Sequence, residues 1–256
     1  MVKFDMGPCS ICSNSAEMGQ HKACVNCSKI YDRLCANSSS HSCITCGGAL
    51  EEVANVFPYN LCLAVKGGDL DAVSYLAGTS PVSLNDVRDK DGRPLLVLAV
   101  GAKEDKGNLV AQLLVSRGVS TQCADTLGRT ALMHAAIFRK LTVNLAELLR
   151  DSVDCRDCDG STALMFAAKG QSSTNGRAGS LSTAKLLVSI GANLSVLSKT
   201  GRTALGFAIK SNDTGTNGAM VEYLEREMLY QEALNVFKMR HDYSFDSKGV
   251  LEYSQK

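Results

Sequence analysis

The sequence predicts an all-α solenoid of about five stacked helix pairs with a small separate module ahead of it, and three observations carry that reading. A Leu followed three residues later by Ala recurs as Leu61/Ala64, Leu96/Ala99, Leu132/Ala135, Leu164/Ala167 and Leu205/Ala208. The Leu-to-Leu spacings are 35, 36, 32 and 41, in the range of helical repeat arrays. A second apolar pair follows each of them: Tyr75-Leu76, Leu113-Leu114, Leu148-Leu149, Leu186-Leu187 and Tyr223-Leu224. Seven of the eleven cysteines crowd into residues 9–46, ahead of the first repeat. The chain thus divides into a cysteine-rich module over 1–50, repeats with a C-terminal capping helix over 51–240, and a polar tail over 241–256 expected to be mobile.

Local chemistry justifies the repeat unit. Three units are spelled alike: Gly128-Arg129-Thr130-Ala131-Leu132, Gly160-Ser161-Thr162-Ala163-Leu164 and Gly201-Arg202-Thr203-Ala204-Leu205. The Gly suits a tight turn that needs an unusual backbone angle. The Thr hydroxyl can accept from the free amides that open the first helix. Leu and Ala three apart share one helical face, and the small Ala lets paired helices approach closely. The later apolar pair belongs to the returning helix. A single helix pair cannot hide its apolar face, so the units are expected to stack into one continuous core.

This spelling resembles the ankyrin repeat signature G-x-T-P-L-H-x-A-A, with Ala where Pro usually stands, and the resemblance covers residues 56–225. It implies a rigid concave surface, built from turn tips and first helices, that recognises another protein with little ordering cost. In the family, about fourteen residues separate the signature Leu from the first apolar residue of the second helix. Here the interval is 14, 17, 16, 22 and 18, which places the extra residues between the two helices of a repeat, the largest insertion being 170–180. Loop drift explains these insertions more simply than a binding role. The first unit has Val56-Phe57-Pro58-Tyr59 in place of the Gly-x-Thr start, as expected of an atypical cap. At the far end, residues 222–240 read as a helix that closes the stack, with docking to a partner as the alternative.

The cysteine cluster suggests metal. Three Cys-x-x-Cys knuckles occur in order, Cys9/Cys12, Cys24/Cys27 and Cys43/Cys46. Two thiolates at this spacing can wrap one ion, and a structural zinc site takes four ligands. Fifty residues with few large apolar side chains lack the core to fold unaided, and metal binding would supply the missing energy. Six knuckle thiolates fall two short of a pair of sites, so the remainder must come from His21, Cys35 and His41. The expected ligand set is Cys9, Cys12, His21, Cys24, Cys27, Cys35, Cys43 and Cys46, holding two Zn²⁺ ions. His21-x-x-Cys24-x-x-Cys27 and Cys9-Ser10-Ile11-Cys12 resemble parts of a RING finger. There an apolar residue such as Ile11 contacts a ubiquitin-conjugating enzyme, and Cys9, Cys12, Cys24 and Cys27 would share one ion. The match is incomplete: Gly19-Gln20 precede His21 where a Cys is expected, and Ile44-Thr45 lack the usual Pro. A zinc-ribbon or FYVE-like pairing of the second and third knuckles uses the same cysteines differently.

Composition excludes some classes. Net charge is +1 from 27 basic and 26 acidic residues, which gives no general drive for nucleic-acid binding. No apolar run approaches the roughly 18 residues of a membrane span, and residues 1–8 do not read as a signal peptide. A cytoplasmic location, with the nucleus as a further option, is expected, and clustered thiols in a reducing compartment favour metal over disulfides. Cys155-x-x-Cys158 reads as a chance pair in an inter-repeat turn, Cys62 and Cys123 as packing, and His134 as a surface or core histidine. No Walker loop, dinucleotide fingerprint, serine-triad motif or HExxH helix occurs. The expected function is a non-catalytic adaptor whose repeats bind a protein and whose zinc module is a second docking site. The alternative is a RING-like E3 ubiquitin ligase component, with the repeats choosing the substrate and a ubiquitin-conjugating enzyme as second partner.

Overall fold

Helix pairs follow one another from residue 53 onward in the computed structural model, which describes residues 21–24, 30–32, 50–78, 80, 82–102, 106–169, 180–211, 217–241, 243–245 and 251–253. The pairs are α1 (Val53–Gly67) with α2 (Leu70–Gly78), α3 (Leu95–Gly101) with α4 (Gly107–Ser116), and α5 (Ala131–Phe138) with α6 (Val143–Leu148). They continue as α7 (Ala163–Lys169) with α8 (Leu181–Ser189), and α9 (Ala204–Ser211) with α10 (Gly218–His241). A 3-10 turn at Arg150–Ser152 extends α6. The all-α expectation holds throughout the repeats. Short strands flank them: β1 (His21–Cys24), β2 (Ile30–Asp32) and β3 (Leu50–Glu52) before, β4 (Tyr243–Phe245) and β5 (Leu251–Tyr253) after. β1 lies between β2 and β3, antiparallel to both, with His21 opposite Asp32 and Cys24 opposite Leu50. β4 and β5 form an antiparallel ladder within the terminal segment 241–256.

First helices pack on first helices, from α1 through α3, α5 and α7 to α9, and second helices on second helices from α2 through α4 and α6 to α8. One buried cluster runs from Phe57 to Leu224. Leu61, Leu96, Leu132 and Leu164 are essentially inaccessible, and Leu205, in the last repeat, packs half-buried against the same core. Of each returning apolar pair, the second member is the anchor: Leu76, Leu114, Leu149, Leu187 and Leu224 are all buried. Full burial of such a side chain stabilises by roughly 1.5–3 kcal/mol, so the repeated leucines hold the stack.

The extra residues do fall between the helices of the second to fifth repeats, at 102–106, 139–142, 170–180 and 212–217. This end of the stack also satisfies the carbonyls that a first helix leaves unpaired. Asn217 donates its amide hydrogens to the carbonyls of Ala168 (3.0 Å) and Ala208 (3.2 Å), and Lys140 Nζ donates to the carbonyl of Ala102 (3.0 Å). At the N-terminus the first unit opens without a turn. Val56–Tyr59 is no turn; it lies inside α1, which follows directly on β3 and contains Pro58. At the C-terminus α10 caps the stack with its first half only, through buried Met220, Tyr223 and Leu224, while Leu229, Tyr230 and Val236 are exposed.

Gly128 shows what fixes the repeat spacing. Its φ is +74°, and a Cβ there would meet the Cys158 amide nitrogen at 3.0 Å and Asp157 backbone carbon at 3.3 Å, in the turn of the next repeat. Gly201 has the same backbone (φ +70°) but open space around it, because no further turn follows. Gly201→Ala should therefore lose about 1–2 kcal/mol from left-handed strain alone. Gly128→Ala should lose that plus a crowding cost of about 1–3 kcal/mol. Urea titrations of the two variants check this, and equal losses would contradict turn-on-turn contact as the spacing constraint.

Candidate interaction surface

The turns between repeats are copies of one device. Asp89, Asp125 and Asp157 each stand three residues before the turn Gly, and Ser198 takes that place in the last copy. The backbone N–H of each donates to the carbonyl four residues on (Arg93, Arg129, Ser161, Arg202) at 3.0 Å, and each Gly N–H donates back at 2.9 Å. One carboxylate oxygen then accepts two backbone amides: Asp125 Oδ1 takes those of Leu127 and Arg129, both at 2.9 Å, and Asp157 Oδ1 those of Asp159 (2.9 Å) and Ser161 (2.7 Å). Successive turns are linked as well, Cys158 N–H to the Leu127 carbonyl and Lys199 N–H to the Asp159 carbonyl, both at 2.9 Å. Thr130 and Thr203 then cap α5 and α9, accepting from Met133 (3.5 Å) and Gly206 (3.2 Å). Pro94 opens α3 without a side-chain cap.

The second carboxylate oxygen is claimed by a cation. Lys66 Nζ, from the preceding repeat, reaches Asp89 at 2.8 Å; His134 Nε2 reaches Asp125 at 2.8 Å; and Arg129 Nε lies 3.8 Å from Asp157, an ion pair without a hydrogen bond. Burial pushes the Asp89 carboxyl up, but the Lys66 hydrogen bond, the amides of Arg93 and Asp91 and the Lys66 charge outweigh it, and the net direction is down. Asp125 is likewise pushed up by burial and brought below its ordinary value by the Arg129 amide, His134 and the Leu127 amide.

Above the turns, equivalent positions of the first helices form columns. Two residues after each signature Leu stand Leu63, Leu98, His134, Phe166 and Phe207; five after stand Lys66, Gly101, Ile137, Lys169 and Lys210. Arg93, Arg129, Ser161 and Arg202 hold the turn position three before. The Arg129 guanidinium lies 5.2 Å from the Phe166 ring centre and Lys169 Nζ 5.9 Å from that of Phe207, while His134 stacks on Phe138 at 5.9 Å. A recess of about 560 Å³ opens here across the first three repeats, lined by Lys66, Arg93, Leu98, Leu127, His134 and Phe138 among others. Leu127 and Phe138 are each 51% exposed beside it. An apolar floor edged by cations is suited to holding a protein segment.

Sequence reasoning missed part of this surface. The Asp-x-x-Gly spacing at Asp89/Gly92, Asp125/Gly128 and Asp157/Gly160 was its available signal, and it also marks the turn ahead of α3. Of the expected zinc ligands, the backbones of His21 and Cys24 are placed at the two ends of β1; Cys9, Cys12, Cys27, Cys35, Cys43 and Cys46, together with the alternative His41, lie outside the described residues. Among the described residues no three His, Cys, Asp or Glu side chains gather as metal ligands, and no helix is long and apolar enough to cross a membrane. Cys155 is half-buried, its thiol pushed up by burial and then by Asp154, while Cys158 is exposed and both are free thiols. Burial pushes the Cys62 thiol up to about 11, as a packing residue requires.

The depressed carboxylates set a pH dependence. A folded-state value below the ordinary 3.8 means that Asp125 contributes stability above that pH, lost as pH falls through the lower folded value. Asp125→Asn should lower stability at pH 7 by about 1.5–3 kcal/mol, as charge-assisted hydrogen bonds do. It should also flatten the acid limb of the stability curve. Chemical denaturation at stepped pH tests this; an acid limb as steep as the wild type's would remove Asp125 from the account.

Comparison with known proteins agrees with this architecture. The family model for ankyrin repeats in three copies matches residues 98–176, and that for a single ankyrin repeat matches 159–199. A protein of Treponema pallidum (strain Nichols) named for ankyrin repeats is 32% identical over 167 residues, 64% of this chain and 51% of the relative. The chain thus spans about half the length of this curated relative. Residues 98–199 match ankyrin repeats, and such repeats point to a role in protein–protein interaction.

Proposed function

We propose that the protein is a non-catalytic cytoplasmic adaptor that grips a partner protein on the face made by its turn tips and first helices. The observation that carries this reading is the recess across the first three repeats, edged by exposed Leu127 and Phe138. A buried, prepaid scaffold beneath it would spare a partner most of the ordering cost of binding. A photo-crosslinking amino acid at position 127 or 138 should capture one and the same partner, and at Leu109 on α4 it should not. Capture from position 109 alone, or none from the first-helix face, would refute the reading.

We further propose that residues 1–50 fold around zinc and serve as a second docking site. The strand register supports one pairing of the knuckles. Cys24 ends β1 opposite Leu50, the first residue of β3, and in the sequence Cys27 follows Cys24 by three residues while Cys46 precedes Leu50 by four. Four thiolates there would suit one tetrahedral zinc. Native mass spectrometry of the full chain should find two ions. Cys24→Ser and Cys46→Ser should each lose one, and the double variant should still lose only one. Loss of both ions in the double variant would favour the interleaved RING-like layout. It would make the ubiquitin-conjugating enzyme the partner to test, by autoubiquitination with Ile11→Ala as control.

A further inference from the structure

We propose that the first-helix face binds an extended, acidic peptide segment carrying large apolar side chains, an inference that rests on the interaction reading above. The argument begins with where the charges go. Asp89, Asp125 and Asp157 keep side-chain exposures of 3%, 8% and 2% and spend their oxygens on turn amides and on Lys66, His134 and Arg129. The cations remain reachable: Lys66 is 39% exposed, Arg93 48% and Arg129 30%. Lys169 and Lys210 continue the Lys66 column and are exposed, and Arg202 continues the Arg column half-exposed. The exposed carboxylates of this face, Asp91 and Asp159, stand at the turn tips, and Asp91 already lies 3.4 Å from Arg93. A partner therefore meets guanidinium and ammonium groups on both sides of an apolar stripe made by exposed Leu63 and half-buried Phe166 and Phe207, with buried Leu98 beneath it.

The repeat sets the partner's spelling. Packed helices lie 8–10 Å apart, and a chain extended in the polyproline II form advances about 3.1 Å per residue with three residues per turn. One repeat thus matches about three residues, and four repeats about twelve. A carboxylate at every third position, with an apolar residue between, places charges on the cation rows and side chains on the stripe. Nucleic acid fits less well. Base stacking needs open ring faces, and one face each of Phe166, Phe207 and Phe138 is already engaged by Arg129, Lys169 and His134.

The test is fluorescence anisotropy of the full-length protein with labelled twelve-residue peptides. One repeats Glu-Phe-Ser, one Lys-Phe-Ser and one Glu-Ser-Ser. Only the first should bind appreciably, and raising salt from 0.05 to 0.5 M should weaken it at least tenfold. Phe138→Ser, and separately Arg93→Glu with Lys210→Glu, should each weaken it at least tenfold, with Leu109→Ser as the unaffected control. Circular dichroism and melting of each variant exclude unfolding as the cause. Equal binding of the lysine peptide, insensitivity to both variants, or tighter binding of a twelve-nucleotide single strand would overturn the proposal. If crosslinking at 127 and 138 captures a partner while the glutamate peptide fails, the acidic-segment proposal falls and the interaction reading stands.

Discussion

A pair of short helices from this chain has an apolar face on each side and can cover neither alone. That constraint governs everything from Phe57 to Leu224. Leu96, Leu132 and Leu164 are hidden only because the next first helix lies against them, and Leu205 is less hidden because its first helix is the last. The same logic applies to the returning helices, where Leu114, Leu149 and Leu187 are anchors and the residue before each is half-exposed. Stability in such an array is a sum over neighbours. A lesion in one repeat is therefore felt by the repeats on either side.

The turns convert that one-dimensional packing into a fixed pitch. Gly92, Gly128 and Gly160 combine a positive φ with a close approach to the following turn, so each is required twice over. The aspartate three residues earlier closes the turn on itself through its own backbone and one carboxylate oxygen. Inter-turn hydrogen bonds from Cys158 and Lys199 then tie the tips together. Recognition surfaces need a rigid base, and here the base is the hydrogen-bonded edge itself.

The sequence made the core legible and the turns only in part. Periodic leucines and small residues announce a helical stack because their spacing is dictated by the burial they perform. The aspartates were less visible, since a reading anchored on Gly-x-Thr passes over the copy in which Pro94 replaces Thr. Val56–Tyr59, in the atypical first unit, has neither the Gly for a positive φ nor an Asp three residues ahead of one, and the helix runs through it. His134 read as an ordinary histidine because its partner, Asp125, is nine residues away and meets it only through the turn.

Charge placement joins architecture to recognition. With 27 basic and 26 acidic residues the chain has almost no net charge to steer anything. The turn device nevertheless consumes carboxylates preferentially, because an N–H-rich turn wants an acceptor and a carboxylate offers four lone pairs. Each aspartate drawn inward leaves the cation that reaches toward it on the outer layer, as Lys66 and Arg129 show. A locally cationic face thus arises on a neutral protein as a consequence of how its turns are closed. Changing a turn aspartate would accordingly disturb recognition as well as stability, since the same carboxylate orders the backbone and holds the cation in place.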